Sequence, residues 1–226
     1  MKMIPSYIEE NSPPGERVVF SRLQNETRGW SVIHSLDLAP YNNNRRTEID
    51  FVILIPEYGI LCVEVKSQKN IFFDGSRWMP KSIKSSPFKQ ALDGRYSFRR
   101  RLIDRFPKYR HIPVLHCCIF PFSDFPLEHN PNIKSFDVMD RHSFESCKKE
   151  DDFCQALINM FIRSIDSDPQ VSRLTSPVTS EVIDEIINLC YPIRKRKPEK
   201  NERQNHSRHQ ESHHVGYSDT ESTVLA

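Results

Sequence analysis

Three charged residues mark the ends of two neighbouring apolar runs: Asp50 stands near the start of the first, and Glu64 and Lys66 stand at the end of the second. Two adjacent carboxylates supply the hard oxygen ligands that Mg²⁺ prefers, and a nearby lysine can orient a water molecule or neutralise phosphoryl oxygens. The residue types therefore predict metal-assisted hydrolysis of a phosphate ester. A structural ion pair between Glu64 and Lys66 is the alternative, and it explains two of the three residues.

An apolar hairpin must bring these charges together. Residues 49–55 and 60–65 are rich in Ile, Val, Leu and Phe, as expected of buried strands, and residues 56–59 (PEYG) supply the turn. We expect a three-residue loop with a bulge, in which Gly59 adopts the left-handed conformation.

This turn geometry decides which side chains share a face of the sheet. It would place Val52 opposite Glu64 and Asp50 opposite Lys66. Because side chains alternate along a strand, Asp50, Glu64 and Lys66 would all point to one side. A loop with an even number of residues would instead put Asp50 and Glu64 on opposite faces. The predicted chemistry thus depends on the loop length.

The order and spacing of these residues resemble a known nuclease motif. Thirteen residues separate Asp50 from the E-V-K triplet at 64–66, and this arrangement resembles the core motif of the PD-(D/E)XK nuclease superfamily. More narrowly, the sequence over residues 14–125 is similar to the nuclease-related domain called NERD. The segments that carry this similarity are Gly15-Glu16, Glu48-Ile49-Asp50, GILCVEVK at 59–66, Trp78 and PFKQA at 87–91. The proline that usually precedes the motif aspartate is replaced here by Ile49.

The resemblance implies a restriction-endonuclease-like α/β fold, with a mixed sheet flanked by helices, and a Mg²⁺-dependent nuclease activity in which Mn²⁺ can substitute. Asp50 and Glu64 would bind the metal together with the main-chain carbonyl of Val65, and Lys66 would position or activate the attacking water. DNA is the expected substrate, with RNA as the second candidate. Relatives of this domain are often joined to helicases or other effectors, which implies a nucleic-acid-processing partner here as well.

The resemblance also implies roles for two residues outside the hairpin. Glu16 matches a glutamate on the first helix that faces the metal site in relatives, although a carboxylate in the first turn of a helix also interacts favourably with the helix dipole. Gln90 matches a glutamine near the active site of relatives. A related exonuclease pattern has a tyrosine four residues later; that position is Gly94 here, and the nearest tyrosine is Tyr96.

A helix predicted from Pro87 to about Arg105 has a strongly basic surface. Four of its arginines are our candidates for contacts with a nucleic-acid backbone: Arg95, Arg99, Arg100 and Arg101. The turn at 41–46 (YNNNRR) adds two arginines close to the predicted phosphate site. Solvated arginines are common on helices and in turns, so a purely structural explanation fits the same residues.

Periodicity predicts the remaining elements and their order. A helix should begin at Gly15 and stop at Gly29. The further expectations are a strand at 30–38, a hairpin at 70–79, a strand at 112–120, an edge strand at 133–138, a helix at 151–165 and a last helix from Ser176 to about Cys190. The order helix, strand, hairpin, helix, strand indicates a mixed α/β domain.

Composition divides the chain into three parts. Residues 1–13 form a leader that should be a loop. Residues 14–192 form the predicted domain, with the motif core at 14–125 and a helical part at 126–192. Residues 193–226 are basic, rich in histidine and poor in apolar side chains, so we expect a disordered tail. The histidine spacing in this tail matches no standard metal site.

Charge and cysteine content bear on the cellular setting. The formal net charge of +2 is nearly balanced, so affinity for nucleic acid would have to come from local patches. The six cysteines form no C-x-x-C pair, which favours buried, reduced thiols in a cytoplasmic protein. No apolar run approaches the length of about 18 residues that a membrane span needs.

Three function hypotheses remain open from the sequence. The first is the metal-dependent nuclease. The second is a nucleic-acid-binding module that keeps the fold but does not cut. The third is an interaction domain that positions a helicase or another effector. Cleavage separates the first from the second, and nucleic-acid binding separates the second from the third.

Overall fold

The computed structural model describes residues 1–38, 46–130, 132–173 and 176–191. Within this part of the chain, the elements are β1 (Lys2–Ile4), α1 (Pro14–Gln24), β2 (Ser31–Leu38), β3 (Thr47–Ile55), β4 (Gly59–Val65), β5 (Phe72–Phe73), β6 (Trp78–Met79), α2 (Pro87–Arg105), β7 (Val114–Ile119), β8 (Val138–Met139), α3 (Arg141–Ser146), α4 (Asp152–Ser167) and α5 (Ser180–Cys190). Most of the predicted arginine-bearing turn, at 41–45, and the predicted tail at 193–226 lie outside the described residues.

Six of the described strands form one mixed sheet, in the order β1-β2-β3-β4-β7-β8, and β5 pairs with β6 in a separate hairpin. Strands β2, β3 and β4 pair antiparallel, whereas β1, β7 and β8 join their neighbours in parallel. The long strands β3 and β4 occupy the centre of the sheet, and every residue of β4 is buried. This mixed sheet with its helices confirms the predicted α/β fold class.

Helices cover both faces of the sheet, because side chains alternate between the two faces along each strand. One face packs on α1 and α4 through residues that include Phe20, Phe51, Val63 and Phe161. The other face packs on α2 and α5 through residues that include Val52, Cys62, Phe98 and Ile186. Asp50 and Glu64 lie two positions beyond Val52 and Cys62 along their strands. They therefore extend the face that α2 covers, at the end of the hairpin away from its turn.

The turn between β3 and β4 differs from the prediction in one respect. The loop has three residues, because Ile55 pairs with Gly59. However, the left-handed residue is Glu57, with φ of 67°, and not Gly59. Gly59 serves a different purpose: a Cβ atom there would lie 2.6 Å from the carbonyl oxygen of Pro113 and 2.5 Å from the ring of Phe161. Close packing against other elements, and not backbone conformation, requires glycine at this position.

The hairpin register is shifted by two residues from the predicted one. Val52 is opposite Cys62 instead of Glu64, which brings Asp50 level with Glu64 instead of Lys66. Because the loop keeps an odd number of residues, the shift is even, and it moves no side chain to the other face. The two carboxylates are consequently closer together than the predicted register would have placed them.

Three predicted boundaries are wrong. The first residues, expected as a loop, contain β1, which is too short to leave a pattern in the sequence. Helix α1 ends at Gln24, well before Gly29, because Asn25 takes the C-capping position. The last helix begins at Ser180 instead of Ser176, because the Thr179 hydroxyl caps it by accepting a hydrogen bond from the main-chain N–H of Val182 at 3.4 Å.

The other predicted elements agree closely with the structure. The hairpin at 70–79 contains β5 and β6, and the basic helix has the predicted bounds Pro87–Arg105. The expected edge strand at 133–138 is an exception, because β8 at Val138–Met139 shares only Val138 with it. Among the described residues, no helix combines the length and the apolar character needed to cross a membrane.

Candidate active site

A cavity of about 860 Å³ opens where the start of α1, the ends of β3 and β4 and one face of α2 meet. Its walls include the five residues predicted to carry the chemistry, together with Val65: Glu16, Asp50, Glu64, Lys66 and Gln90. Residues far apart in the sequence thus line one space.

Asp50 is held by the neighbouring strand. Its Oδ2 atom accepts a hydrogen bond of 2.6 Å from the main-chain N–H of Val65, and only 9% of the residue is exposed. Burial raises the pKa of Asp50 well above its usual value, and the nearby carboxylates of Glu64 and Glu16 raise it further. The hydrogen bond from Val65 opposes this shift. A carboxylate in this environment is costly to ionise unless a cation compensates its charge.

Glu64 and Lys66 form the ion pair that the sequence suggested as the structural alternative. The Nζ atom of Lys66 donates to Oε1 of Glu64 at 2.6 Å, and Glu64 is 6% exposed. Burial raises the pKa of Glu64, and the ammonium of Lys66 only partly offsets this effect. The ion pair is therefore real, but it lies in the wall of the cavity beside further carboxylates, so it is compatible with a catalytic role.

Glu16 reaches the cavity because α1 begins directly against the end of β4. The main-chain N–H of Gly15 donates to the Ser67 hydroxyl at 2.8 Å. A Cβ atom at Gly15 would lie 2.8 Å from that same oxygen and 3.1 Å from Cγ1 of Val65, so the contact requires glycine. Burial raises the pKa of Glu16 to about 7, with additional contributions from Glu48 and Glu64. The absence of a side chain at Gly15 thus lets α1 start close enough to β4 for Glu16 to line the cavity.

Glu48 is a site residue that the sequence analysis did not single out for a role. Its side chain is exposed and lines the cavity two residues before Asp50 on β3. Its charge raises the pKa of Glu16 and of Glu64. A spacing of two along a strand places side chains on the same face, so the E-x-D pattern was a usable signal.

Four carboxylates, from Glu16, Glu48, Asp50 and Glu64, thus line one cavity together with Lys66. The raised pKa values of Glu16, Asp50 and Glu64 share one physical cause, which is crowded and poorly solvated negative charge. Carboxylate oxygens are the hard ligands that a divalent cation such as Mg²⁺ or Mn²⁺ prefers.

Two buried glutamine side-chain oxygens in the cavity wall offer further ligands for a cation. Within the described part of the chain, the Oε1 atom of Gln90 is buried and has no hydrogen-bond partner, and the same holds for Oε1 of Gln68. Both glutamines line the cavity. Buried amide oxygens without partners are uncommon and call for a ligand or a water molecule. Val65, whose main-chain carbonyl is the predicted further metal ligand, also lines the cavity. Binding of a metal ion by this carbonyl stays a prediction.

Helix α2 turns one polar face toward the cavity. The residues on this face recur at helical spacing and are Gln90, Asp93, Ser97 and Arg101. The helix approaches β3 closely, because a Cβ atom at Gly94 would lie 3.1 Å from Cγ1 of Ile49. A tyrosine at this position, as in the related exonuclease pattern, would not fit without moving the helix. Tyr96 instead lines the cavity with 58% of the residue exposed.

The four predicted nucleic-acid-binding arginines do not share one face of α2. Arg95 and Arg99 donate to the main-chain carbonyls of Val114 (2.6 Å) and Arg110 (3.2 Å), on the side of β7. Arg100 lies 4.0 Å from Asp104, one turn further along the helix. Of the four, Arg101 lines the cavity. Successive helical residues are rotated by about 100°, so a run of neighbouring arginines cannot form a single stripe.

Arg46 is the described member of the predicted arginine-bearing turn. It lines the cavity, and its Nη1 atom lies 2.6 Å from Oδ2 of Asp37 in an exposed salt bridge. Arg46 and Arg101 therefore add positive charge to the cavity wall. Of the arginines predicted to contact nucleic acid, Arg101 thus lies at the cavity, and contact of any of the four with nucleic acid stays a prediction.

Comparison with known proteins identifies the domain. No curated protein and no solved structure matches the chain. One family model does match, that of the nuclease-related domain, NERD, over residues 13–121. The matched segment begins just before Gly15 and ends just after β7, and it contains every cavity-lining carboxylate described above. Residues 13–121 of this chain are therefore a nuclease-related domain of the NERD family, within the PD-(D/E)XK nuclease superfamily.

Proposed function

We propose that the protein is a metal-dependent nuclease that hydrolyses phosphodiester bonds. One observation carries the proposal: Asp50 and Glu64 are both buried, lie level on adjacent strands and share an open cavity with Lys66. Buried carboxylates with raised pKa values in a cavity indicate a functional site more often than a structural one. The family match supports a nuclease-related function in general.

The residues that would hold the metal are Asp50 and Glu64, with the main-chain carbonyl of Val65 and, beside them, Glu16. Mg²⁺ is the expected ion, and Mn²⁺ would substitute because it accepts the same oxygen ligands. When bound, the ion would lower the pKa of a coordinated water molecule and offset the charge that develops on the phosphate.

The protein side chains would contribute orientation and proton transfer. The hydrogen bond from Val65 fixes the carboxylate of Asp50, so no reorganisation is needed when substrate binds. Lys66 would hold the attacking water or a phosphoryl oxygen through its ammonium group. Glu16 lines the cavity beside these groups and is placed to accept a proton from the water.

DNA is the proposed substrate, with RNA as the alternative. Arg46 and Arg101 at the cavity wall would contact the phosphates on either side of the cleaved bond. The exposed ring of Tyr96 offers a surface on which an unpaired base can stack. The cytoplasmic location and a helicase or other nucleic-acid-processing partner remain predictions from the sequence.

One observation favours a second candidate, a nucleic-acid-binding module that does not cut. The ion pair of 2.6 Å between Lys66 and Glu64 satisfies both groups without a metal ion. The test is incubation of the protein with linear duplex, circular and single-stranded DNA and with RNA, in Mg²⁺, in Mn²⁺ and in EDTA. We expect cleavage with either metal ion and none in EDTA. Binding to these substrates without cleavage in either metal ion would favour the non-cutting module.

A further inference from the structure

A second group of potential metal ligands lies outside the cavity, between the end of α1 and the start of α4. It consists of Glu26, Asp151 and Cys154. One ligand atom from each of these residues lies within 4.8 Å of the other two. Glu26 and Cys154 are buried, and Asp151 is half-buried. The proposed nuclease activity makes no use of these residues.

Glu26 is the residue that calls for an explanation. The residue is only 5% exposed, and its Oε2 atom is buried without a hydrogen-bond partner in the described part of the chain. Burial raises its pKa, hydrogen bonds from the thiol and the main-chain N–H of Cys154 oppose this shift, and the carboxylate of Asp151 adds to it. The thiol of Cys154 lies against this carboxyl, and burial together with Glu26 raises the pKa of Cys154 as well. A buried acidic oxygen without a donor is a position that a cation would satisfy.

Asp151 is held in place beside Glu26 by its own partners. Its Oδ1 atom accepts hydrogen bonds from the main-chain N–H of Thr27 at 3.3 Å and from the Thr27 hydroxyl at 3.2 Å. The Nε atom of Arg28 lies 3.6 Å from Oδ2 and balances part of the charge. Asp151 also has a left-handed backbone, with φ of 62°, which an aspartate adopts at a small energetic cost. The position of Asp151 is therefore fixed by contacts outside the cluster.

We propose that Glu26, Asp151 and Cys154 bind a divalent cation of the zinc class. The ligand set decides the class, because a thiolate with two carboxylates suits Zn²⁺ or Co²⁺, whereas Mg²⁺ prefers oxygen ligands alone. Binding converts the Cys154 thiol to the thiolate and releases its proton to solvent, so affinity rises with pH.

A cavity adjoins this site on the side of Glu26. Its volume is about 570 Å³, and it is lined by Glu26 together with Arg22, Lys148 and Lys149. The space is sufficient for a water molecule as the fourth ligand, which completes the tetrahedral geometry that zinc prefers. The opening carries three basic side chains, Arg22, Lys148 and Lys149, against the carboxylates of Glu26 and Glu150, so its charge does not attract a cation. Binding would therefore rest on direct coordination by the three ligands.

The site would act as a clamp between two helices. Glu26 follows the end of α1, and α1 carries Glu16 at its other end, in the proposed active site. Asp151 and Cys154 belong to the start of α4. A cation that binds only the folded chain stabilises it in proportion to the logarithm of its concentration.

The test is a Co²⁺ titration of the full-length protein, followed by near-ultraviolet absorption. A thiolate-to-cobalt charge-transfer band reports coordination by cysteine, which separates this site from binding by carboxylates or histidines. We expect a band that saturates at one equivalent and is displaced by Zn²⁺. Cys154→Ser should abolish it. The nearby buried thiol of Cys147 provides the matched control, since Cys147→Ser should keep the band.

Two further variants make the test independent of folding and of the nuclease proposal. Glu26→Gln preserves the thiol and the side-chain volume, and it should weaken Co²⁺ binding by roughly tenfold or more. Glu64→Gln removes a proposed Mg²⁺ ligand in the other cavity and should leave the band unchanged. No band in the wild-type protein, a band that persists in Cys154→Ser, or unchanged affinity in Glu26→Gln would overturn the proposal.

Discussion

The carboxylate of Asp50 accepts a hydrogen bond of 2.6 Å from the main-chain N–H of Val65, which lies on the adjacent strand. This bond continues the contact between β3 and β4 beyond their last regular pair, Phe51 with Val63. It fixes the carboxylate level with Glu64, at the point where the apolar hairpin meets the cavity. The position of the site at the end of the hairpin follows from this relationship.

Stability in the absence of metal should depend on pH through Glu16. Its folded-state pKa of about 7 exceeds its ordinary value of 4.5, so the folded state binds the proton more tightly than the unfolded state does. The stabilisation is present below pH 4.5 and is lost as the pH rises to 7. After discounting for solvent screening we expect about 1 kcal/mol, or roughly 2–4 °C in the thermal midpoint.

The measurement is thermal unfolding in EDTA between pH 4.5 and 7.5, for the wild type, for Glu16→Gln and for Glu10→Gln as an exposed control. The slope of the thermal midpoint against pH should be smaller in Glu16→Gln than in the wild type and unchanged in Glu10→Gln. Equal slopes in all three proteins would show that Glu16 titrates as an ordinary surface carboxylate.

Gly15→Ala should displace the start of α1 from the end of β4. The added Cβ atom would lie 2.8 Å from the Ser67 hydroxyl oxygen and 3.2 Å from its Cα atom, so the hydroxyl must turn away from the N–H of Gly15 or the helix must move. We expect a loss of about 1–3 kcal/mol in the free energy of unfolding and a large loss of cleavage, because Glu16 moves with the helix.

Gly29→Ala is the matched control for this substitution. No atom lies within 4 Å of a Cβ atom built at Gly29, so stability and cleavage should both be retained. Denaturant unfolding and cleavage assays on both variants provide the measurement. If Gly15→Ala behaved like Gly29→Ala, the close contact between α1 and β4 would not be what positions Glu16.

Much of this site could be predicted from the sequence, because the face on which these side chains lie depends only on whether the hairpin loop has an odd or an even number of residues. Asp50, Glu64 and Lys66 share a face for any odd loop length, so an incorrect register still gave the correct face. The register itself could not be predicted. Glycine is the usual left-handed residue of such a loop. Gly59, however, is required for its close contact with Pro113, a residue distant in the sequence.

For the arginines of α2, in contrast, the sequence did not predict which side chains face the cavity. The helix was predicted with the correct bounds, but its rotation was not, and rotation decides that Arg101 faces the cavity while Arg95 reaches Val114. Rotation is set by packing, in particular by the close approach of Gly94 to Ile49. A glycine within a helix signals close packing, but the sequence does not say which partner it contacts.

Arg101→Glu should weaken nucleic-acid binding regardless of sequence, because contacts with phosphates carry no base information. The slope of the logarithm of affinity against the logarithm of salt concentration should decrease by about 1 for the lost phosphate contact. Arg99→Glu is the control, since Arg99 donates to the carbonyl of Arg110 on the other side of the helix. Fluorescence anisotropy at several salt concentrations measures both variants. Equal effects of the two substitutions would mean that binding does not occur at the cavity.

Lys66→Met separates a catalytic role from a purely structural ion pair. Removing the ammonium leaves the carboxylates more strongly negative, so Mg²⁺ affinity should stay the same or increase. Cleavage should nevertheless fall on the order of 100-fold or more, because the group that orients the water is lost. Lys108→Met is the control: it removes an exposed partner of Glu185 at 3.0 Å and should not affect cleavage. Unchanged cleavage in Lys66→Met would show that the ion pair of Lys66 with Glu64 has a structural role only.

The central claim is that Asp50 and Glu64 hold the metal ion that supports cleavage. The most direct measurement compares the wild type with Asp50→Asn and Glu64→Gln, recording DNA cleavage in Mg²⁺ and DNA binding in parallel, with circular dichroism to confirm the fold. Both substitutions keep the shape of the side chain but remove its charge. We predict that both variants lose cleavage while they bind DNA as tightly as the wild type or more tightly. Cleavage at the wild-type rate by a folded Glu64→Gln variant would contradict the assignment.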